Sequence, residues 1–162
     1  MIKVAQCWDD GVSTDIRLIE ILRKYNAKAT FNICLGYHAD TRQEAHWVPK
    51  EYSGFSYKGF IGGRLSKHEL SEVYSGFKVA SHCMRHGCAG QISDDIFIKA
   101  ALDGCHFSGG FVPVRMSGFA WPCEQYTPST ADALRAAGFK YGRTTKNVNA
   151  VWCDVSDIVA KE

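Results

Sequence analysis

The feature that most constrains this chain is its alternation of short apolar runs with helix-periodic stretches. Strand-like runs stand at Ile2 to Trp8, Ala29 to Cys34, Phe77 to Ala80, Val114 to Ala120 and Lys140 to Arg143, with a further one near Ala150 to Cys153. Helical patterning fills the intervals at Ser13 to Tyr25, Ser66 to Tyr74, Ser93 to Phe107 and Thr130 to Ala137. Such alternation predicts parallel strands with covering helices, since a parallel neighbour is reached only through a crossover. The expected strands fall short of the eight units of a closed barrel, which leaves two α/β solutions: an incomplete (β/α) barrel or an open doubly wound sheet. Nothing divides the 162 residues into halves, and 46% hydrophobic content supplies one substantial core, so a single domain over residues 1–162 is expected.

In folds of this kind chemistry collects at the carboxyl ends of the strands. Two polar clusters stand at such ends: Cys7-Trp8-Asp9-Asp10-Gly11 after the first run and Ser81-His82-Cys83-Met84-Arg85-His86-Gly87 after the third. Neighbouring side chains of an extended backbone point to opposite faces, so Asp9 and Asp10 address one ion together only if the chain turns, which Gly11 permits. The pair reads as one ligand and one free carboxylate. His82 and His86 are spaced i, i+4 and share one face if their segment is helical. Two imidazoles and one carboxylate leave a fourth position open, the pattern of a catalytic zinc rather than a structural one. The remaining carboxylate is then placed to act as a general base. Taken singly, Asp-Asp-Gly equally suits a turn or helix cap, and His-x-x-x-His a polar helix start; the equivalent placement of the two clusters favours the metal reading. A closed Cys2His2 site from His82, Cys83, His86 and Cys88 is the weaker alternative, because structural zinc sites usually separate two ligand couples.

Several function classes are excluded by charge and hydropathy. A net charge of +2 without a basic stripe disfavours nucleic acid or an anionic membrane as partner. No apolar stretch approaches the ~20 residues of a membrane span. Met1 leads directly into a strand-like run rather than a signal peptide, and seven cysteines, an odd and scattered set, favour free thiols in a reducing compartment. A cytoplasmic chain is expected on these grounds, with secretion open if an export segment stood upstream. Residues 36–64 form a long insert whose Trp47, Tyr52, Phe55, Tyr57 and Phe60 argue against disorder. His38, His46 and His68 lie in or beside it and read as surface residues.

The clusters are ordered as in a known family. The chain resembles the polysaccharide deacetylases of the NodB-homology type, carbohydrate esterase family 4. Cys7 to Gly11 is similar to the family's T-F-D-D-G motif, Lys28 to Ile33 to its next strand, and His82 to His86 to its H-[ST]-x-x-H motif. Gly118-Phe119-Ala120-Trp121-Pro122 is similar to its third-motif strand, and Ala133 to Thr144 to the helix and strand that follow. The resemblance implies an incomplete, distorted (β/α) barrel. It implies Asp9 as catalytic base, and Asp10, His82 and His86 as ligands of a divalent ion, usually zinc, with Co2+ or Ni2+ as alternatives. The oxyanion donor maps to the backbone amide of Cys123, and the substrate is an acetylated oligo- or polysaccharide. Trp47 and Trp121 are the candidate sugar contacts.

Two departures from the family pattern bear on mechanism. Its third motif normally carries an arginine that braces the catalytic Asp and a tyrosine after the proline, but the positions here read Ala120 and Cys123, leaving Arg115 and Arg143 as alternative braces. The late Leu-His motif that supplies the general acid is absent from the 162 residues, although Val151 to Asp157 has the look of the Asp and Trp motif that precedes it. His106, at the end of a helical run, is the candidate replacement. A chain lacking that acid is expected to release acetate from O-acetyl esters more readily than from N-acetyl amides, because an amine leaves poorly unless protonated. The rival readings are an impaired deacetylase-like domain that binds metal or sugar, and an amidohydrolase of a small non-sugar amide.

Overall fold

In the computed structural model, residues 4–54, 56–106 and 116–144 are described. The main sheet is built from β1 (Cys7–Asp9), β2 (Thr30–Ile33), β5 (Lys78–Ser81), β6 (Gly118–Ala120) and β7 (Tyr141–Arg143), in that spatial order and all parallel. Helices α1 (Asp15–Lys24), α2 (Leu70–Val73), α3 (Asp94–His106) and α4 (Pro128–Ala136) lie in the crossovers, and the insert carries a small antiparallel pair, β3 (His46–Trp47) and β4 (Phe60–Ile61).

The sheet is curled into a half-barrel, an incomplete and distorted (β/α) barrel. One contact shows how far it curls. β1 and β7 are its two outer strands, four strand spacings apart, which in a flat sheet is roughly 19 Å. Arg143 at the end of β7 nevertheless grips Asp9 at the end of β1, with Nη2 at 2.5 and 2.6 Å from the two carboxylate oxygens.

Helices cover the sheet through two apolar clusters. Ile19 and Leu22 of α1 pack with Phe31 and Ile33 of β2, and Phe31 meets the rings of Tyr74 and Phe77 at centroid distances of 4.9 and 5.5 Å. In the other cluster Phe97 and Ala101 of α3 and Leu134 of α4 enclose Phe119 and Trp121. Deleting a buried ring such as Phe119, 1% exposed, costs on the order of 3–5 kcal/mol.

Element boundaries moved for local reasons. The first strand, expected from Ile2 to Trp8, is β1 at Cys7–Asp9, because its register pairs Cys7 with Thr30, where β2 itself begins. The helix expected over Ser66 to Tyr74 shortens to α2, since Lys67 donates its amide to the Ala39 carbonyl at 2.9 Å and the Ser66 amide bonds the Glu69 carboxylate at 2.8 Å. α4 starts at Pro128, two residues before the expected Thr130. Thr127 caps it: its hydroxyl accepts from the Thr130 amide at 3.1 Å while Thr130 Oγ1 accepts from the Thr127 amide at 3.0 Å. Arg115, the last candidate strand at Ala150 to Cys153 and the stretch Val151 to Asp157 lie outside the described residues.

Two further expectations are corrected. Cys88 and Cys123 are joined by a disulfide with Cα atoms 5.7 Å apart, so the cysteines are not all thiols; Cys34, Cys83 and Cys105 are buried and lie outside that bond. His38 is not a surface residue but 7% exposed, donating Nδ1–H to the Leu65 carbonyl at 2.8 Å. The insert, whose aromatics argued against disorder, is ordered: beyond its strand pair, Gln43 and Arg64 exchange backbone bonds of 2.8 Å, and Ser13 Oγ donates to the Gly62 carbonyl at 2.9 Å. That last bond fastens the insert beside the Asp-Asp-Gly turn. Among the described residues no helix is long and apolar enough to cross a membrane.

Candidate active site

Asp9 is the last residue of β1 and lies level with Asn32 in the ladder. Asn32 is buried, and its side-chain amide donates to Asp9 Oδ1 at 2.7 Å. Together with the two contacts from Arg143, this fixes the carboxylate from two sides. Burial alone raises the pKa of Asp9. The hydrogen bonds from Asn32 and Arg143 and the nearby His82 and Arg143 charges outweigh it, so Asp9 is held below the ordinary carboxylate range and is ionised at neutral pH.

The chain then turns at once. The Asp10 amide makes the last ladder bond, to the Asn32 carbonyl at 2.9 Å, and both Asp10 (φ +80°) and Gly11 (φ +69°) adopt left-handed conformations. This brings the second carboxylate round to the same side as the first. A Cβ at Gly11 would fall 2.8 Å from His38 Nε2, so glycine is required there for space as well as for conformation.

His82 follows β5 directly and is 3% exposed. Its Nδ1 lies 2.9 Å from the Ala120 carbonyl, which can only accept, so Nδ1 carries the proton and Nε2 presents a lone pair. Burial pushes its pKa down, against the opposing pull of the Ala120 carbonyl and Asp9, and leaves it a neutral imidazole suited to ligation. The histidines do not share a helical face as the i, i+4 spacing suggested. Residues 83–85 form a tight turn, with Cys83 at φ +64° and His86 at φ +50°, and it is the turn that brings the rings edge to face at 4.7 Å.

Asp10 Oδ1 lies 3.8 Å from His82 Nε2 and 3.9 Å from His86 Nε2. Donors bound at about 2.0–2.2 Å around one tetrahedral ion stand roughly 3.4 Å apart. Both distances from Asp10 Oδ1 come within half an ångström of that spacing, and an N,N,O set with a neutral buried imidazole fits a divalent cation. Asp9 Oδ2 is also 3.9 Å from His82 Nε2, and both its oxygens are engaged by Arg143. Cys34 approaches Asp10 Oδ1 at 3.9 Å and donates to the His82 carbonyl at 3.1 Å. Burial pushes its thiol far up, so it remains protonated and serves as a packing and hydrogen-bonding group.

Cys123 lies in a one-turn 3₁₀ segment, Pro122–Glu124, just past the end of β6. It adopts φ +57°, and its amide occupies the first positions of the turn, where backbone donors lack a partner within the turn. The disulfide to Cys88, two residues beyond His86, ties this loop to the histidine loop. Trp121 is a correction: at 6% exposure, its ring stacks on Phe97 at 5.5 Å and 10°, so no face is open to a sugar. Trp47 is 75% exposed on β3, backed by Phe60 at 5.1 Å. His106 closes α3, but its side chain lies outside the described residues. Sequence reasoning missed Asn32, whose signal was a lone amide in an otherwise apolar strand, and left Arg143 undecided.

A curled parallel sheet thus carries paired carboxylates and imidazoles at its strand ends. The family model for polysaccharide deacetylase matches residues 2–142, and the chain belongs to that family. No curated protein sequence matches it significantly. Among solved structures it is similar to the deacetylase PplD of Streptococcus pyogenes in complex with acetate, at 21% identity and a TM-score of 0.66, over 86% of this chain and 54% of that one. It is also similar to IcaB of Ammonifex degensii, at 20% identity and a TM-score of 0.63, over 85% and 57% respectively. A third likeness is to a CE4 family pseudoenzyme of Bacillus anthracis, at 13% identity and a TM-score of 0.57, over 86% and 42%. The chain thus spans about half the length of these proteins. Because the fold is shared by deacetylases and a pseudoenzyme alike, activity has to be argued from the site.

Proposed function

We propose that the chain is a metal-dependent deacetylase that hydrolyses acetyl groups, as O-acetyl esters or N-acetyl amides, from an oligo- or polysaccharide. The observation that carries this reading is an ionised Asp9, clamped by Arg143 and Asn32, beside an Asp10 whose Oδ1 lies 3.8 Å from His82 Nε2 and 3.9 Å from His86 Nε2. A divalent ion held by Asp10, His82 and His86, zinc first and Co2+ or Ni2+ as alternatives, would polarise an acyl oxygen and lower the pKa of water to about 7.

The chain's own groups supply the rest. Asp9 takes the proton from the attacking water, and its bonds to Arg143 and Asn32 keep it ionised and aimed. The Ala120 carbonyl fixes the His82 tautomer, so that Nε2 is a donor of electrons rather than of a proton. The Cys123 amide donates to the oxygen on which negative charge develops, and a backbone donor is indifferent to the family's usual tyrosine being a cysteine. Trp47, exposed on the insert that Ser13 anchors, offers a stacking face to a sugar ring. His106 is the candidate that protonates the leaving group. Acetate and a free hydroxyl or amine are the products.

The test is acetate release from acetylated xylo- and chito-oligosaccharides by protein stripped with a chelator and then reloaded with one equivalent of zinc. The reading expects activity to vanish on stripping and return on reloading. Equal acetate release with and without the ion rejects it.

A further inference from the structure

The disulfide between Cys88 and Cys123 lies against a residue already committed to the candidate centre. A donor nitrogen of His86 and the sulfurs of Cys88 and Cys123 all lie within 4.8 Å of one another. This cluster differs from the His82, Cys83, His86 and Cys88 combination that the sequence suggested: Cys83 is buried at 1% exposure, and the partner of Cys88 comes from the loop after β6, 35 residues away. One local couple, His86 and Cys88, joined by a ligand from a separate loop, is the spacing logic of a zinc site.

We propose that reduction of the Cys88–Cys123 bond opens a second metal seat, formed by Cys88, Cys123 and His86, which takes a zinc-like divalent cation and competes with the Asp10–His82 pair for the His86 imidazole. The reductant is an external dithiol. It transfers two electrons and two protons, the S–S bond breaks to give two thiols, and the dithiol closes to its own disulfide. On coordination each thiol releases its proton to solvent and each sulfur donates an electron pair to the ion.

The geometry allows this without refolding. The two Cα atoms are 5.7 Å apart, and sulfurs bound at about 2.3 Å to one tetrahedral ion stand roughly 3.8 Å from each other, a separation that small χ1 rotations reach. Cys123 is exposed and gives access, whereas Cys88 is 7% exposed and shields the ion from behind. Two thiolates and an imidazole form a softer set than two imidazoles and a carboxylate and favour zinc, cadmium or cobalt over magnesium. The Cys2His seat stands on its own donor atoms and does not depend on the catalytic reading.

The experiment is a Co2+ titration of the 162-residue protein, fully reduced and then fully oxidised, read by thiolate-to-cobalt charge-transfer absorption. The band should develop with one equivalent in the reduced protein and be absent from the oxidised one. It should be lost in Cys88→Ser and in Cys123→Ser but kept in His82→Ala, which disables the neighbouring centre alone. No band in reduced protein of verified thiol content overturns the proposal, and so does a band that survives Cys88→Ser or disappears in Cys34→Ser. A measurement on the unmodified chain guards against misfolded variants: zinc should slow alkylation of Cys88 and Cys123 by iodoacetamide at least tenfold, read by peptide mass. Equal alkylation rates with and without zinc overturn it as well.

Discussion

Asp15 opens α1 four residues beyond the Asp9–Gly11 turn's Gly11, and its carboxyl is 4% exposed. It accepts a hydrogen bond from the Tyr74 hydroxyl at 2.7 Å. Burial pushes its pKa from 3.8 to about 6, outweighing the lowering by the Tyr74 hydroxyl and Arg64, and the negative charge of Asp10 adds to the rise. A pKa raised in the folded state means that the folded chain keeps a proton which the unfolded chain has released between roughly pH 4 and 6. The stability gained is therefore complete below pH 4 and is lost as pH rises through 6. A shift of roughly two units is worth about 3 kcal/mol at most. Asp15→Asn stays neutral at every pH and keeps an acceptor for Tyr74. Chelator-treated wild type and variant should match near pH 4 and diverge by up to ~3 kcal/mol in the variant's favour by pH 7.5. Urea unfolding followed by tryptophan fluorescence, with equal m-values, reads the difference. A stability difference that is constant from pH 4 to 7.5, or one that turns toward the wild type above pH 6, refutes the reasoning.

Other consequences follow from the same geometry. Arg143→Gln should retain zinc but lower acetate release by roughly 10- to 100-fold, the usual cost of removing a group that orients a catalytic one. Because burial of Asp9 would then be less opposed, the acid limb of its pH–rate profile should move to higher pH; an unmoved limb assigns Arg143 no role in holding Asp9 ionised. Gly11→Ala forces a methyl to within 2.8 Å of His38 Nε2 at φ +69° and should cost about 2 kcal/mol or more in chemical unfolding. If His38→Ala restores part of that loss, the clash is located where the structure puts it.

The alternation of elements was readable because parallel strands covered by helices leave short, mostly apolar runs, as in Ala29 to Cys34 and Phe77 to Ala80. The two polar clusters were readable for the converse reason: polar residues directly after such runs stand at strand ends. What escaped was set by tertiary curvature. Arg143 meets Asp9 across 134 residues only because the sheet edges curl together, and no local pattern distinguishes it from a surface arginine. The Cys88–Cys123 bond likewise joins two loops brought together by β5 and β6. Trp121 looked available as the large aromatic beside a motif, yet α3 closes over it through Phe97. The helical reasoning for His82 and His86 named residues that do meet, but through a turn with positive φ at Cys83 and His86 that spacing alone does not reveal.

The central claim is that two adjacent carboxylates at the end of β1 divide the work, Asp10 as ligand and Asp9 as base. Paired measurements of zinc content and acetate release in Asp9→Asn and Asp10→Asn test it most directly. Asp9→Asn should bind one zinc and lose roughly 10²- to 10⁴-fold in turnover, whereas Asp10→Asn should lose both zinc and turnover. Near-normal turnover by zinc-loaded Asp9→Asn, or full zinc retention in Asp10→Asn, contradicts the account.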